Sequence, residues 1–274
     1  MDACRFYNFL RSPLIIFAIL ILAVGCSQPK NSSTVFPEAT QACKQSAHPE
    51  RYIVKKESGE IEMHYEKSRE DMMENYVKPN LSDIAFVEQD QRIEILKNIE
   101  AKSGASNIWG PQRMGAPLAW DQNIKGQGVL VAVVDSGVDI SHEALRNNIF
   151  INTAEANGLP GVDDDGNGYI DDVSGWNFDL DSPNNVDEVE HGTHVAGIIA
   201  ADSLSPMQGV APLASILPID FMNDKGGFTG NGILAIRYAV KMGAKIINAS
   251  WGSSACSSLL EQEISALADS QVLF

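Results

Sequence analysis

The stretch VLVAVVDSG, residues 129–137, decides the fold of this 274-residue chain. Six apolar residues precede Asp135, and a glycine turn follows it. A continuous apolar run of this length, rich in β-branched residues, predicts a strand that is buried on both faces. Ligands of open α/β sheets bind at the carboxyl ends of such strands, and Asp135 lies at that end.

Around this strand, apolar runs alternate with helical patterns. In the pattern at 230–243, Ile233, Ile236 and Val240 share one face, and Gly243 is a candidate C-cap. Strands are predicted at 129–134, 214–222, 245–250 and from 272, and helices from 191, at 230–243 and at 257–269. This alternation predicts an α/β fold, a parallel sheet with helices on both faces.

The segment at residues 48–101 has a different pattern and predicts a small α+β domain before the sheet. RYIVKK and IAFVEQD predict strands, and SREDMMENYV between them predicts a helix with Ser68 as its N-cap. KSGAS at 102–106 has the composition of an exposed linker. The second domain is therefore expected to comprise residues 107–274.

The N-terminus predicts export and not a part of the fold. PLIIFAILILAVGC is short for a bilayer span and fits the apolar region of a signal peptide at residues 1–25. Its ending, LAVGC, resembles the lipobox of bacterial lipoproteins, which implies cleavage before Cys26 and a lipid on its thiol as the membrane anchor. A plain secreted protein and an uncleaved anchor are the alternatives. The polar composition of 26–47 predicts a tether.

The formal net charge of −16 argues against nucleic acid as a partner, because phosphates require a basic surface. The charge is uneven along the chain. Ten carboxylates and no Lys or Arg lie between Asp163 and Glu190. Such a run is typical either of a solvated acidic loop or of a cation site.

Within this run, DDDGNGYIDD places Asp163, Asp165 and Asn167 at alternate positions before Gly168. This matches the opening of an EF-hand calcium loop, in which alternate oxygens turn toward one cation and glycine permits the bend. The expected calcium ligands are Asp163, Asp165, Asn167, Asp171 and the backbone carbonyl of Tyr169. An EF-hand has a glutamate where Ser174 stands, so the alternative is an acidic turn without an ion.

His191 opens the apolar helix that follows the acidic run. The positive end of a helix disfavours an imidazolium, which keeps a histidine neutral and suited to a general base. A buried Asp135 carboxylate at its other ring nitrogen would fix the tautomer. The alternatives are a histidine without chemistry, an Asp135 that caps the turn through Gly137, and a metal site of His191 and His194 with Glu188 or Glu190. The HExxH metalloprotease arrangement is absent from the sequence.

Two segments resemble motifs of the subtilisin-like serine peptidases. VAVVDSGVDISHEAL, from Val131, resembles their aspartate motif, and HGTHVAGIIAA, from His191, resembles their histidine motif. KIINASWGS, QRMGAPLAWDQ and GVAPLASILPID resemble further family segments, so the likeness spans about residues 109–274. The resemblance implies a subtilisin-like fold and an Asp–His–Ser triad, with Asp135 as the orienting group and His191 as the general base.

The resemblance also implies where an extended peptide or protein substrate would lie. Ser250, Trp251 and Gly252 would run along it, with Gly227 on the opposite rim; core packing is the alternative for Trp251. The family's nucleophilic serine, in a G-T-S-x-A motif, and its oxyanion asparagine, in an A-G-N turn, have no counterpart in this sequence. The chain is therefore expected to be truncated before the serine motif and inactive alone.

Residues 48–101 also resemble the inhibitor-type propeptide of this family, through RYIVKK and IAFVEQDQRIEI. Such propeptides assist folding and are then cut away, here in or near 102–106; an ordinary N-terminal subdomain is the alternative. The second hypothesis on function is a non-catalytic remnant that binds or inhibits through this domain. Cys43 and Cys256 leave one disulfide open, which the sequence cannot establish.

Overall fold

The computed structural model describes residues 30–38, 47–95, 109–204, 207–253 and 256–274. One compact unit, Asn31–Phe274, contains all of the described secondary structure. The predicted signal peptide, the Cys26 lipidation site and the linker at 102–106 lie outside the described residues. In the part of the chain that is described, no helix is long and apolar enough to span a membrane.

Ten strands and eight helices are found within the described residues. The strands are β1 (Ala47–Lys56), β2 (Ile61–Tyr65), β3 (Ile84–Ile95), β4 (Leu130–Asp135), β5 (Trp176–Asn177), β6 (Ser215–Asp220), β7 (Met222–Asn223), β8 (Gly226–Phe228), β9 (Ile246–Asn248) and β10 (Trp251–Gly252). The helices are α1 (Ser32–Val35), α2 (Arg69–Asp71, continued by a π-helix at Met72–Val77), α3 (Trp109–Arg113), α4 (Ala116–Trp120), α5 (Thr153–Ala156), α6 (His191–Ala200), α7 (Thr229–Lys241) and α8 (Ser258–Ala266).

A parallel sheet in the order β5-β6-β4-β9, the core sheet, lies between two helical layers. Because side chains alternate along a strand, β4 packs on both faces. Val131 and Val133 contact the apolar side of α6, whereas Ala132 and Val134 belong to the core beneath α7. This arrangement confirms the α/β fold with helices on both faces, and it leaves Asp135 at the carboxyl end of β4.

The single apolar face predicted for α7 is divided between two buried clusters in the structure. Ile236 is buried in the core under the sheet and Val240 packs against that core. Ile233 instead joins a second buried cluster with Ile53 of β1 and Leu259 of α8. Helix α7 therefore bridges the core sheet and the N-terminal strands.

The N-terminal segment, residues 47–95, forms an antiparallel sheet with strands from farther along the chain, in the order β2-β1-β3-β8-β7. Strand β10 also pairs with β3. Ser68 caps α2 as expected, since its Oγ accepts a hydrogen bond of 3.0 Å from the amide of Asp71. Strand β3 runs to residue 95, beyond the predicted IAFVEQD, because its far end pairs with β8 and β10.

Part of the segment predicted as a tether is folded. Asn31 caps the short helix α1, and Val35 and Phe36 are buried in the core of the N-terminal segment. Two apolar side chains in an otherwise polar stretch are enough to dock it on β1 and β3. QRMGAPLAWDQ contains the end of the short helix α3 and all of the short helix α4. The strand expected from residue 272 is a single parallel bridge between Leu273 and Ile246.

Cys256 is disulfide-bonded, and the other three cysteines lie outside the described residues.

Candidate active site

Asp135 and His191 meet at the carboxyl end of β4. The Nδ1 atom of His191 lies 2.7 Å from Oδ1 of Asp135. Asp135 is fully buried and His191 is 8% exposed. An ionised carboxylate only accepts hydrogen bonds, so beside an ionised Asp135 a neutral His191 ring has its proton on Nδ1 and its free lone pair on Nε2. The pair therefore has the geometry of a general base with its orienting carboxylate.

The carboxylate of Asp135 lies in a mixed environment. Burial raises its pKa, while the hydrogen bond to His191, the charge of that imidazole and the amide of Ser136 oppose the rise. The Ser136 amide donates to Oδ1 over 2.8 Å. Its second oxygen, Oδ2, is buried and has no hydrogen-bond partner among the described residues. Asp135 thus holds His191 through one oxygen only.

Asp187, which the sequence analysis did not single out, organises the start of α6. Its carboxylate accepts hydrogen bonds from the amides of Val189, Glu190 and Thr193 at 2.8–3.0 Å. It also accepts from the hydroxyls of Ser136 and Thr193. An acidic side chain that satisfies free amides at a helix N-terminus stabilises that end. Asp187 therefore holds the His191 helix against the residue that follows Asp135.

Gly192 lets α6 approach the turn after β4 closely. A Cβ atom at Gly192 would lie 2.1 Å from the carbonyl oxygen of Gly137 and 3.2 Å from Cβ of Asp135. Any larger residue would push the helix away from Asp135. The glycine that follows His191 in the sequence is thus required for the close packing of the pair.

The structure does not assemble the alternative metal site at His191 and His194. Within the described ranges, the only cluster of three or more metal-ligating side chains consists of Glu155, Asp163 and Asp165. Neither histidine belongs to it.

The far end of β3 lies in a channel between β8 and β10. Ile93 pairs with Gly227 on one side, and Ile95 and Glu94 pair with Trp251 and Gly252 on the other. All of these pairings are antiparallel. Three of the four residues predicted to bind a peptide therefore contact an extended segment of the chain itself.

The side chains of Ser250 and Trp251 point to neighbouring groups of the fold. Ser250 Oγ donates to Oδ1 of Asn248 over 2.8 Å. The indole Nε1 of Trp251 donates to the carbonyl of Val134 over 2.8 Å, and its ring stacks edge-on against Phe221. The core-packing alternative for Trp251 thus describes its side chain, while its backbone pairs with β3. This hydrogen bond ties the channel to the strand that ends at Asp135.

Two carboxylates of β3 cap the two helices that the N-terminal segment contacts. Asp90 accepts from the amide of Gly230 at the start of α7 over 2.9 Å, and Arg51 lies 3.2 Å from it. Glu88 accepts from the amides of Ser258 and Leu259 at the start of α8. Burial raises the pKa of Asp90 to about 6, against the opposing charge of Arg51. Each carboxylate lies at the positive end of a helix, which favours its charge.

The acidic loop folds around a cluster that could hold a metal ion. Oxygens of Glu155, Asp163 and Asp165 lie within 4.8 Å of one another. The backbone amides of Asn167 and Gly168 donate to Asp163, and the Gly168 amide is the main cause of its lowered pKa. The sequence motif identified Asp163 and Asp165 but missed Glu155, which belongs to α5 and has no place in the motif.

Two of the other predicted calcium ligands, Asn167 and Asp171, are turned to different partners. Oδ1 of Asn167 accepts the amide of Tyr169 over 2.7 Å, and its Nδ2 donates to buried Asp172. Asp171 accepts the amide of Gly161 over 2.8 Å and is not in the cluster. Lys241 donates to the carbonyl of Asn167, so an ammonium group already lies beside the loop.

Comparisons with known proteins agree on one family. The model of the subtilase family (Peptidase_S8) matches residues 126–274. Subtilisin-like protease 1 of Plasmodium berghei (strain Anka) is 36% identical over 147 residues, which cover 53% of this chain and 24% of that protein. Thermitase of Thermoactinomyces vulgaris is 34% identical over 165 residues, 58% of this chain and 50% of thermitase. The major intracellular serine protease of Bacillus subtilis (strain 168) is 40% identical over 143 residues, 50% of this chain and 38% of that protein.

The fold agrees with a solved structure. The crystal structure of fervidolysin from Fervidobacterium pennivorans, a keratinolytic enzyme related to subtilisin, superposes with a TM-score of 0.64 at 18% identity. The superposition covers 87% of this chain and 40% of fervidolysin. The chain thus spans between a quarter and a half of the length of these relatives. With the family model matching more than half of its residues, the chain belongs to the subtilase family.

Proposed function

We propose that this chain carries the aspartate and the histidine of a subtilisin-like serine endopeptidase. The observation that supports this most is the 2.7 Å contact between Asp135 Oδ1 and His191 Nδ1. Asp135 holds the ring with Nε2 free, and it stabilises the imidazolium once Nε2 has taken a proton from the attacking serine. The chain order, Asp before His, is that of the subtilisin triad.

The nucleophile is the part of the triad that the chain does not supply. Its 274 residues contain neither a G-T-S-x-A segment nor an A-G-N turn. Without the serine no acyl-enzyme forms. Loss of a single oxyanion donor costs a further factor of about 10²–10³ in rate. We therefore expect the 274-residue chain to be inactive by itself.

An extended peptide is the proposed substrate class. Residues 92–95 lie in the channel as a strand between Gly227 on one side and Trp251 and Gly252 on the other. Addition of a strand to exposed sheet edges is a common mode of peptide recognition, in which main-chain hydrogen bonds give the affinity. A substrate would take the same position once residues 92–95 have left it.

The N-terminal segment is proposed to act as an inhibitor-type propeptide. It fills the channel with its own strand, and Glu88 and Asp90 anchor that strand on the starts of α8 and α7. These anchors lie within seven residues of the channel, so their release and the opening of the channel are one event. Cleavage at 102–106 and export through residues 1–26 belong to the same proposal and concern residues outside those described.

Calcium is the proposed ion of the acidic loop. Glu155, Asp163 and Asp165 offer only oxygen donors, which Ca²⁺ prefers, and their oxygens already converge. Asn167 and Asp171 complete the set only if the loop turns them toward the ion, because each now has an internal partner. The backbone carbonyl of Tyr169 is the remaining proposed ligand. When bound, the ion would neutralise part of the charge of the run from Asp163 to Glu190.

The second candidate function is a non-catalytic module that binds or inhibits a related protease. The occupied channel favours it, because a segment that fits this channel also fits that of a homologous enzyme. The two candidates differ in whether His191 can activate a serine when one is present.

A fluorophosphonate probe tests the first candidate. We expect no labelling of the 274-residue chain, and labelling of it would show that the chain holds its own nucleophile. The test also uses a chimera. In it, the part of thermitase that follows the region similar to this chain is fused after Phe274. We expect the chimera to be labelled and the same chimera with H191A to be unlabelled. A folded but unlabelled chimera, with inhibition of intact thermitase by the original chain, would favour the second candidate.

A further inference from the structure

A second buried carboxylate, Asp220, lies beside the catalytic pair. Strands β4 and β6 are parallel neighbours, and their register pairs Asp135 with Asp220. Paired positions of adjacent parallel strands direct their side chains to the same face of the sheet, and the strands are about 4.8 Å apart. Asp220 also forms a backbone bridge with Ser136. Two carboxylates therefore end neighbouring strands at the point where His191 docks.

The contacts of Asp220 are polar but uncharged. Its Oδ2 accepts a hydrogen bond of 2.6 Å from Nδ2 of Asn177, and its Oδ1 accepts one of 3.2 Å from the amide of Met222. It is 6% exposed. No ion pair of Asp220 is found among the described residues. A buried carboxylate without a cation is costly to ionise.

The surroundings of Asp220 are acidic from every side. It faces Asp135 from β4, and Asp179 and Asp187 from the loop between β5 and α6. Glu188 lines the same cavity, of about 180 Å³, whose described lining has no lysine, arginine or histidine. Burial is the main reason that the pKa of Asp220 is raised to about 7; the three aspartates add to it, and the Met222 amide opposes it. Asp220 thus changes charge in the range where a histidine base works.

We propose that Asp220 is a positioning residue for the Asp135–His191 pair. When the carboxyl of Asp220 ionises, it adds a second negative charge beside Asp135 and so favours the protonated ring of His191. Asp135 is held by His191 through Oδ1 alone, and its buried Oδ2 has no donor among the described residues. Among the described residues, His191 is the only ion-pair partner of Asp135, and Asp220 has none. A negative charge nearby disfavours the ionisation of a second carboxyl group. Two ionised carboxylates together favour the protonated, cationic form of an adjacent imidazole.

The inference rests on the proposed base role of His191, but its test needs no peptide hydrolysis. Asp Cγ and His ring-nitrogen resonances are followed by NMR from pH 5 to 9 in the wild-type chain and in D220N. The asparagine side chain is isosteric with the aspartate and keeps an acceptor oxygen for Asn177. D179N is the matched control, because Asp179 faces the same cavity and accepts its side-chain hydrogen bond from Asn223.

In the wild type, we expect the His191 ring resonances to follow the ionisation of the Asp220 carboxyl, since coupled sites titrate together. In D220N, we expect the imidazolium-to-imidazole ratio of His191 at pH 7.5 to fall about threefold or more, and in D179N to change less than that. An unchanged ratio in D220N would overturn the proposal. If D220N does not fold, the titration of the wild-type chain is the test. His191 ring resonances that do not change as the Asp220 carboxyl ionises would overturn the proposal. The two proposals can fail separately. If the chimera is not labelled by the fluorophosphonate but His191 and Asp220 titrate together, the peptidase function is rejected and the coupling of the two residues is retained.

Discussion

The backbone of Ile93 lies directly on Gly226. A Cβ atom at Gly226 would be 2.1 Å from the carbonyl oxygen of Ile93, and Gly226 has a φ of +92°. The glycine thus sets how closely the far end of β3 can approach β8. Because this end fills the proposed substrate channel, the contact offers a way to open it.

We predict that G226A displaces residues 92–95 from the channel. The new methyl group clashes with a backbone atom, which cannot move aside as a flexible side chain would. G243A is the control: Gly243 has a φ of +85°, so the substitution there carries a similar left-handed strain of about 1–2 kcal/mol, but a Cβ meets no atom within 4 Å. Hydrogen exchange of the residue 92–95 amides should be at least about tenfold faster in G226A than in G243A. Equal protection in the two variants would contradict the prediction.

The position of β3 could not be predicted from the sequence, although its strand character could. IAFVEQD has the composition of a strand, but its pairing with β8 and β10 joins residues more than 130 positions apart. Periodicity reports the faces of an element and carries no information about such partners. The same limit applies to Ile233, whose periodic spacing predicted burial but not burial against Ile53.

Local chemistry was more informative than composition at the pair of Asp135 and His191. Asp135 ends an apolar run and His191 begins a helix, and the parallel sheet brings strand ends and helix starts to one edge. The role of Asp187 could not be predicted from the sequence. It lies four residues before the helix begins, within an acidic run, and nothing in the sequence distinguishes it from the other acids of that run. Glu155 escaped the sequence analysis because its helix is outside the DxDxN motif.

We predict that the buried pair of Arg51 and Asp90 contributes far more to stability than the outer pair of Lys55 and Glu263. The Arg51 and Asp90 side chains are 9% and 0% exposed, whereas those of Lys55 and Glu263 are 23% and 11% exposed. Removal of one partner of a buried pair costs about 3–5 kcal/mol. Loss of Lys55 should cost about 0–1 kcal/mol, because the pair is partly open to solvent and Glu263 keeps its salt bridge of 2.8 Å with Arg237. Urea unfolding of R51M and K55M at pH 7.5 measures both. Equal losses would show that Asp90 finds another way to satisfy its charge.

We predict that calcium raises the thermal unfolding midpoint of the chain and that EDTA reverses the rise. Binding to the folded state alone stabilises it by about 2.7 kcal/mol at a hundredfold excess over Kd. E155Q and D163N should abolish the rise, since both belong to the convergent cluster. D181N, an acid of the same run outside the cluster, should retain it. A rise that persists in E155Q and D163N would place the ion elsewhere.

We predict that Asp220 makes the chain less stable as the pH rises. Folding raises its pKa from 3.8 to about 7. A carboxyl shifted in this direction contributes stability that is fully present below pH 4 and is lost as the pH rises through about 7.

The variant D220N removes this dependence, because its asparagine side chain cannot ionise. Its single oxygen can still accept from Asn177, and the lost hydrogen bond from the Met222 amide lowers stability by an amount that does not depend on pH. Between pH 4.5 and 8, the free energy of unfolding of the wild type should fall relative to that of D220N by roughly 2–4 kcal/mol. Urea unfolding of both proteins at several pH values gives this difference, in which the contributions of the groups that do not interact with Asp220 cancel. A difference that is the same at pH 4.5 and at pH 8 would mean that Asp220 stays ionised in the folded chain. The negative charge next to Asp135 would then be permanent, and it could not vary with pH in the range where the proposed base, His191, would act.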